Sequence, residues 1–281
     1  MKTIKFLVAA LCCTFMSCGN QPQQAVNEEP ADSLNLEGVE GVSALVLEDG
    51  SRAIWLKDNA EDRNNSPELF GDVPAELIDS LGIAEGIPSS MSAFLLQAEG
   101  KNVLFDAGMG GELLNHLTTI GLSAEQIDYI YITHCHGDHI GGMLKDGAPV
   151  FPNAQVYLSK PEYDAWMNME GDRSEQTKTV LNAYGENVHQ FEFGETLPCG
   201  VKAMDAVGHT PGHTAYEKSN LLVIGDLFHG LALQKDFPQF CARFDMDKEA
   251  SVASRKRLLD YAREKKLHMA GMHLPAPGFF E

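Results

Sequence analysis

The chain has 281 residues, enough for one large domain, and 44% of them are hydrophobic, so a substantial core is expected without help from disulfides. The 40 Asp and Glu residues outnumber the 21 Lys and Arg residues, which gives a net charge of -19. That balance excludes nucleic acid as a partner, because nucleic-acid binding needs a basic surface that displaces counterions.

The N-terminus has the pattern of an export signal over residues 1–17. A short basic stretch precedes an apolar run at 4–16, which is too short to span a membrane. Ser17 and Cys18 resemble the cleavage and acylation site of bacterial lipoproteins. We therefore expect a lipid anchor on Cys18, at a periplasm-facing membrane or the cell envelope of a Gram-negative bacterium; an ordinary secretory signal is the alternative. Residues 18–40 lack the apolar content to fold and are expected to form a flexible tether.

Residues 41–281 are expected to form one domain in which apolar strands and amphipathic helices alternate. Strands are predicted at 42–47, 53–56, 92–97, 102–106, 128–133, 155–159, 188–193, 201–206, 221–224 and 267–272. Helices are predicted at 161–169, 173–184 and 248–266, with a capping-box turn at 123–126. The polar stretch 58–90 is long for a connection, so it is either a lid or a helix-bearing excursion. This mixture predicts an α+β fold of two mixed β-sheets with helices outside.

The segment that carries chemistry is His134-Cys135-His136-Gly137-Asp138-His139. Four good metal ligands lie within six residues, directly after a buried strand. Alternate residues of an extended chain point the same way, so His134 and His136 can converge on one ion. Asp138 and His139 lie on the following turn and can reach a second ion. Imidazole and carboxylate ligands suit zinc, while manganese, iron and cobalt are alternatives.

Three later segments each place a further ligand at the end of a strand: a Gly-His-Thr-Pro-Gly-His turn at 208–213, Asp226 and His273. Loops at strand ends commonly build sites. The order of these motifs resembles the metallo-β-lactamase superfamily, over nearly all of residues 42–277. The resemblance implies an αββα sandwich and a dinuclear centre. It assigns His134, His136 and His213 to the first metal, Asp138, His139 and His273 to the second, and Asp226 to both.

Within that superfamily, the stretches THCHGDHIGG, GHTPGHTAY and VIGDLFH resemble the methyl parathion hydrolases and related periplasmic lactonases. The resemblance implies a small ester or lactone substrate, opened by hydroxide held between the two metals, with Asp226 and Asp138 at the reacting centre. Two features depart from the family. His229 stands where acyl-homoserine lactonases commonly have tyrosine, and family members usually continue for a few dozen residues beyond the last ligand histidine.

Other residues have competing interpretations. Asp106 is expected to orient a ligand histidine. His229 is expected to hydrogen-bond substrate in the pocket, to support a ligand from behind, or to lie on the surface. Cys135 is expected to pack in the interior. His209 is expected to support a ligand or to shape its turn, and not to bind metal itself. His116, His189 and His268 have no motif around them and are expected to be structural. The aromatic residues that could line a pocket, although core positions are as good an interpretation, are Trp166, Phe70 and Phe228.

The preferred function is therefore a metal-dependent hydrolase of lactones or small esters. Organophosphate or aryl-ester hydrolysis uses the same site with a different pocket, and β-lactamase activity is a weaker alternative. A non-enzymatic alternative is a lipid-anchored metal-binding protein or a truncated pseudoenzyme. The sequence leaves the substrate, the native metal and the oligomeric state open, a homodimer included.

Overall fold

The structure is a computed structural model that describes residue 36 and residues 38–281, without the side chain of Arg173. The expected export signal and nearly all of the expected tether lie outside the described residues. One compact unit spans Leu36–Glu281. Within the described part of the chain, no helix is both long enough and apolar enough to cross a membrane.

The strands are numbered in chain order, and β8 (Leu144–Lys145) and β9 (Ala148–Pro149) form a separate two-stranded sheet. Seven strands form the first sheet, in the order β1-β2-β5-β6-β7-β10-β11. These strands are β1 (Val42–Val46), β2 (Arg52–Lys57), β5 (Ser92–Ala98), β6 (Lys101–Phe105), β7 (Tyr129–Tyr131), β10 (Gln155–Ser159) and β11 (Val188–Phe191). The first four pair antiparallel, and β6, β7, β10 and β11 run parallel to one another. The sheet is mixed, as the sequence predicts.

Six strands form the second sheet, in chain order from β12 to β17. They are β12 (Thr196–Leu197), β13 (Val201–Asp205), β14 (Thr214–Lys218), β15 (Leu221–Val223), β16 (His268–Ala270) and β17 (Phe279–Phe280). Only β15 and β16 pair parallel, so this sheet is mixed too. The sequence analysis misses β12, β14 and β17, because a short strand of mixed polarity carries no alternation strong enough to predict it.

The main core lies between the two sheets. Apolar side chains of the first sheet, such as Phe94 and Phe105, pack against side chains of the second, such as Tyr216 and Val223, and all four are buried. The rings of Phe105 and Tyr216 lie 5.4 Å apart between centroids. The arrangement confirms the predicted fold of two mixed sheets packed face to face.

Seven helices complete the described fold. They are α1 (Ala75–Leu81), α2 (Leu113–Thr119), α3 (Gly137–Ile140), α4 (Lys160–Asn168), α5 (Asp172–Tyr184), α6 (Leu231–Gln234) and α7 (Lys248–Lys265). The longest, α7, begins at its N-cap Asp247, whose side chain accepts the N–H of Ala250. Its buried Leu258 and Leu259 pack on the outer side of the second sheet, and burying each stabilises the fold by about 1.5–3 kcal/mol.

The stretch 58–90 is the helix-bearing excursion of the two predicted alternatives. Its strands β3 (Arg63–Asn65) and β4 (Ile87–Ser89) pair antiparallel and flank α1. The excursion has an apolar cluster of its own, which includes Phe70 and Ile87 and reaches Leu233 on α6. This packing fixes the excursion to the domain, so β3 forms a rigid wall beside the loops described below.

Candidate metal centre

Four loops meet at one edge of the sandwich. Because β14 pairs antiparallel with both β13 and β15, and β16 is parallel to β15, the C-terminal ends of β13, β15 and β16 share an edge. The loops that follow these strands carry His209, Asp226 and His273. The fourth loop follows β7 of the first sheet and runs into α3, and it carries the His134–His139 motif.

The first group of ligands comprises His134, His136, His209 and Asp226, whose donor atoms lie within 4.8 Å of one another. His136 Nδ1 lies 3.0 Å from His134 Nε2 and 2.9 Å from His209 Nε2. Asp226 Oδ2 lies 3.3 Å from His209 Nε2. Three imidazoles and a carboxylate that converge in this way are a typical donor set for zinc.

His213 is absent from both groups, so its assignment to the first metal was wrong. Its Nε2 accepts the backbone N–H of Asp226 at 3.1 Å, and its Nδ1 donates to the carbonyl of Ala206 at 2.9 Å. A neutral imidazole has one donor and one acceptor, and both are used here. His209 occupies the position expected for His213 in the first group. The expectation that His209 only supports a ligand or shapes its turn was therefore also wrong.

The second group comprises Asp138, His139 and His273, whose donor atoms also lie within 4.8 Å of one another. His273 Nε2 lies 3.4 Å from Asp138 Oδ2, and His139 Nε2 lies 3.9 Å from Asp138 Oδ1. The structure therefore brings together all three residues that the sequence assigns to the second metal.

Asp226 lies between the two groups. Its Oδ1 is 3.0 Å from His139 Nε2 and its Oδ2 is 3.1 Å from His273 Nε2, while its Oδ2 also faces His209. His139 Nε2 and Asp226 Oδ1 are both buried without a hydrogen-bond partner. Buried polar atoms are rarely left without partners, and these two fit a cation that neither group has in the protein alone. The donor set therefore fits a pair of divalent ions.

Two ligand histidines of the second group are each oriented by an oxygen behind the ring. Asp106 Oδ2 accepts from His139 Nδ1 at 2.7 Å, as the sequence predicts, and Asp106 Oδ1 accepts the N–H of Thr133 at 2.7 Å. His273 Nδ1 donates to the carbonyl of Ser90 at 2.8 Å. Such partners fix the tautomer and the ring angle of a metal ligand, and thereby raise its affinity.

Asp245 orients His209 in the same way, and the sequence analysis misses it. Asp245 Oδ1 accepts from His209 Nδ1 at 2.9 Å. Behind it, the fully buried guanidinium of Arg255 donates to Asp245 Oδ2 at 3.3 Å and to the carbonyl of Leu227 at 2.6 Å. Arg255 thus joins the His209 partner to the Asp226 loop. A single Asp in a polar loop carries no sequence signal that distinguishes it from a surface residue.

Glu162 is the second buried carboxylate that the sequence analysis misses. Its Oε1 accepts the N–H of Cys135 at 2.9 Å and the indole N–H of Trp166 at 2.7 Å. Its Oε2 accepts the N–H of Gly212 and the hydroxyl of Thr210, both at 2.8 Å. Glu162 therefore links the His134–His139 loop to the loop that carries His209.

Burial and neighbouring charges divide the site histidines into two kinds. Burial lowers the pKa of His136 to about 3, and burial likewise holds the pKa of His134 well below its usual range. For His273 burial acts in the same direction, but Asp226 and Asp138 outweigh it and raise the pKa to about 10. The carboxylates also raise the pKa of His139. His209 differs from the other imidazoles of the first group, because Asp226 and Asp245 outweigh its burial and raise its pKa. His134 and His136 are therefore held neutral and ready for metal, whereas His209, His139 and His273 would release a proton when metal binds.

His229 lies in the site next to Asp226. Its Nε2 is 3.1 Å from Asp226 Oδ2, and its ring stacks on that of His273 with centroids 5.1 Å apart. Its backbone is held at both ends, since its N–H donates to Gln234 and its carbonyl accepts from Asn65. Of the three interpretations left open by the sequence, the structure excludes the surface position, because His229 is buried and lines the cavity described below.

A cavity of about 390 Å³ opens over the two groups. Trp166 lines it, whereas Phe70 and Phe228 are core residues away from it. The remaining wall residues are Arg63, Asn65, Met91, Met109, Cys135, His136, Gly137, Asp138, Gln176, His209, Asp226, His229, Phe244 and His273. Cys135 is 1% exposed, in agreement with its expected interior position.

The three histidines without motifs lie outside this cavity, as expected. His116 contacts the carbonyl of Lys57, His189 contacts Gln155, and His268 contacts Glu281.

The structure and the sequence are both similar to those of known hydrolases and lactonases. The structure is similar to that of AidC, a dizinc quorum-quenching lactonase in complex with a product, with a TM-score of 0.77, 27% identity and coverage of 85% of this chain and 92% of that chain. It is equally similar to the hydrolase AbOPH, with a TM-score of 0.77, 28% identity and the same coverage. An N-acyl homoserine lactonase from a Bacillus species is 30% identical over 160 residues, which are 55% of this chain and 58% of the lactonase. The sequence profile of the metallo-beta-lactamase superfamily matches residues 87–265. The chain belongs to the metallo-beta-lactamase superfamily.

Proposed function

We propose that this protein is a dinuclear metal-dependent hydrolase that opens lactones or small esters. The observation that carries the proposal is the position of Asp226, a buried carboxylate between two converging groups of imidazoles, with an oxygen that has no hydrogen-bond partner among the described residues. His134, His136 and His209 would hold one ion, and Asp138, His139 and His273 the other, with Asp226 shared. Zinc is the preferred metal, with manganese, iron and cobalt as alternatives.

Two divalent ions, when bound, supply a hydroxide at neutral pH and polarise the carbonyl under attack. The chain's own residues provide the rest. Asp226 and Asp138 accept hydrogen bonds from the attacking water and orient it toward the carbonyl. His229 Nε2 lies 3.1 Å from Asp226 Oδ2, so its ring N–H can donate a hydrogen bond to a substrate oxygen that reaches Asp226. Buried Asp106 and Asp245 hold two of the ligand rings in position.

The relatives favour lactones as the substrate class. One structure similar to this one is a lactonase in complex with a product, and the Bacillus relative acts on N-acyl homoserine lactones. A cavity of about 390 Å³ suits a small molecule. Lactone opening also fits the site, because the leaving alkoxide stays tethered to the carbonyl carbon and remains beside the metals.

The test follows acidification when a neutral lactone is added to the protein loaded with zinc or manganese. The matched control is Asp226→Asn, which keeps the shape of the side chain and removes its charge. We expect turnover in the wild type and a loss of several orders of magnitude in the variant, together with weaker metal retention. Two bound ions without lactone turnover would exclude the lactonase, and wild-type rates in Asp226→Asn would exclude the shared carboxylate.

A second candidate is organophosphate or aryl-ester hydrolysis at the same centre. The resemblance to methyl parathion hydrolases supports it, and the similarity to the hydrolase AbOPH matches that to AidC. Rates on paraoxon and on phenyl esters, set against lactone rates, distinguish the two activities. β-Lactamase activity is the weakest candidate, and a penicillin turnover assay tests it.

We also propose that residues 1–17 direct export and that Cys18 carries the lipid anchor. The support is the basic start, the apolar run and the small residue before Cys18. Metabolic labelling with a fatty acid tests it: label is expected on the wild type and absent from Cys18→Ala, which should leave the membrane fraction. Equal labelling of both proteins would exclude Cys18 as the acylated residue.

A further inference from the structure

The cavity over the metal centre carries one guanidinium. Arg63 lines it, and the structure places no other Lys or Arg side chain among the described residues of its wall. The Arg63 side chain is exposed and has no hydrogen bond or ion pair with any described residue. The neighbouring carboxylate does not neutralise it, because Asp62 is bonded to Lys57 at 2.8 Å. A permanent positive charge therefore lines the cavity without a side-chain partner among the described residues.

Two links hold Arg63 in position relative to the metal centre. Arg63 and Asn65 are two apart on β3, so their side chains leave the same face of the strand, and Asn65 Nδ2 donates to the carbonyl of His229 at 2.7 Å. Arg63 pairs with Ser89 of β4, whose hydroxyl donates to the carbonyl of His273 at 3.1 Å. The β3–β4 pair is thus bonded to two residues of the site, so the backbone of Arg63 is held beside the metal centre and within reach of a ligand bound there.

A guanidinium presents paired donors that match a carboxylate, and hydrogen bonds to such a charged group are stronger than neutral ones. Other wall residues, such as Met109, Trp166 and Phe244, offer apolar contact but no second cation. We propose that the preferred substrate is a lactone or small ester with an additional, anionic carboxylate, which Arg63 binds while the ester carbonyl lies at the metal centre. This inference rests on the proposed function and specifies its substrate class.

The kinetic test compares two γ-butyrolactones, one with a carboxymethyl substituent and one with the isosteric carboxamide. Ring opening of each is followed by chromatography with the zinc-loaded wild type, Arg63→Met and Lys202→Met. Lys202 is an exposed lysine of β13 that does not line the cavity, so its variant removes the same charge elsewhere. We expect Arg63→Met to lower kcat/KM for the carboxylate about 10- to 100-fold and to leave the carboxamide rate nearly unchanged.

A binding test runs beside it and does not depend on turnover. Calorimetric titration of the zinc-loaded proteins with adipate and with hexanoate compares a chain that ends in a second carboxylate with one that ends in a methyl group. We expect the wild type and Lys202→Met to bind adipate more tightly, and Arg63→Met to bind both acids equally.

The outcomes distinguish failure of the carboxylate-binding inference from failure of the proposed hydrolase function. Zinc-dependent opening of both lactones with no selective effect of Arg63→Met would overturn the inference and leave the hydrolase intact. An equal effect of Lys202→Met would also overturn the inference, because it would show that Arg63 acts only through the net charge of the protein and not by binding the carboxylate. If neither lactone opens, the proposed lactonase function is refuted. The adipate titration alone then decides whether Arg63 binds a carboxylate.

Discussion

The exchange of His213 for His209 in the first ligand group can be tested with a matched pair of substitutions, His209→Gln and His213→Gln. A glutamine amide is a poor zinc ligand but offers one donor and one acceptor. At position 209 it removes an imidazole that lies 2.9 Å from His136 Nδ1. At position 213 it replaces a ring that bonds only to the backbone of Asp226 and Ala206. The two variants therefore separate metal binding from backbone support.

The expected magnitudes follow from these contacts. Loss of a partner behind a ligand costs about 10–100-fold in metal affinity, so loss of the ligand His209 itself should exceed about 100-fold for one ion. His213→Gln should keep both ions. If the shorter amide leaves one of the two buried backbone groups without a partner, the free energy of unfolding falls by about 1–3 kcal/mol.

The assay is the zinc content per protein by elemental analysis after gel filtration, with thermal unfolding of the same samples. We expect about one ion retained in His209→Gln and two in His213→Gln, and the larger loss of melting temperature in metal-free His213→Gln. The reverse pattern, with both ions in His209→Gln and one in His213→Gln, would refute the assignment drawn from the structure.

Three further predictions concern the residues behind the ligands and the charge of the site. Asp106→Asn should lower the affinity for one ion about 10–100-fold, because an amide cannot accept from His139 and Thr133 as the carboxylate does; competition with a chromogenic chelator measures this, and unchanged affinity would contradict it. Arg255→Met leaves the carboxylate of Asp245 buried without its guanidinium, so the free energy of unfolding should fall by about 3–5 kcal/mol in denaturant titrations, and a loss below about 1 kcal/mol would be evidence against the buried pair. In the metal-free protein the pKa of His273 is raised to about 10 from 6.5. Its contribution to stability is complete below pH 6.5 and is lost as the pH rises through about 10, so the melting temperature should fall over this window in the metal-free protein but not in the zinc-loaded one, where the ion replaces the proton. Parallel curves for the two forms would contradict that account.

The sequence by itself determined the fold class and most of the ligand set. Alternation of apolar strands with amphipathic helices gave two mixed sheets, since burial of apolar faces is a local pattern that the chain must repeat. The motif 134–139 specified its own geometry, because four of its ligands lie on one extended segment and its following turn. Asp226 and His273 could be predicted for a related reason: each ends an apolar stretch, and strand ends carry loops that build sites.

Only the tertiary structure decided which nitrogens converge at the candidate metal centre. His209 and His213 lie four residues apart on one Gly-Pro turn, and both are buried. The direction of each ring depends on groups distant in the chain: Asp245 holds one toward the site, and the backbone of Asp226 holds the other away. The same holds for Glu162 and Arg255, whose roles arise from contacts between loops. A sequence pattern specifies which residue types are present, but the direction of a buried polar side chain is set by the partners that the fold brings to it.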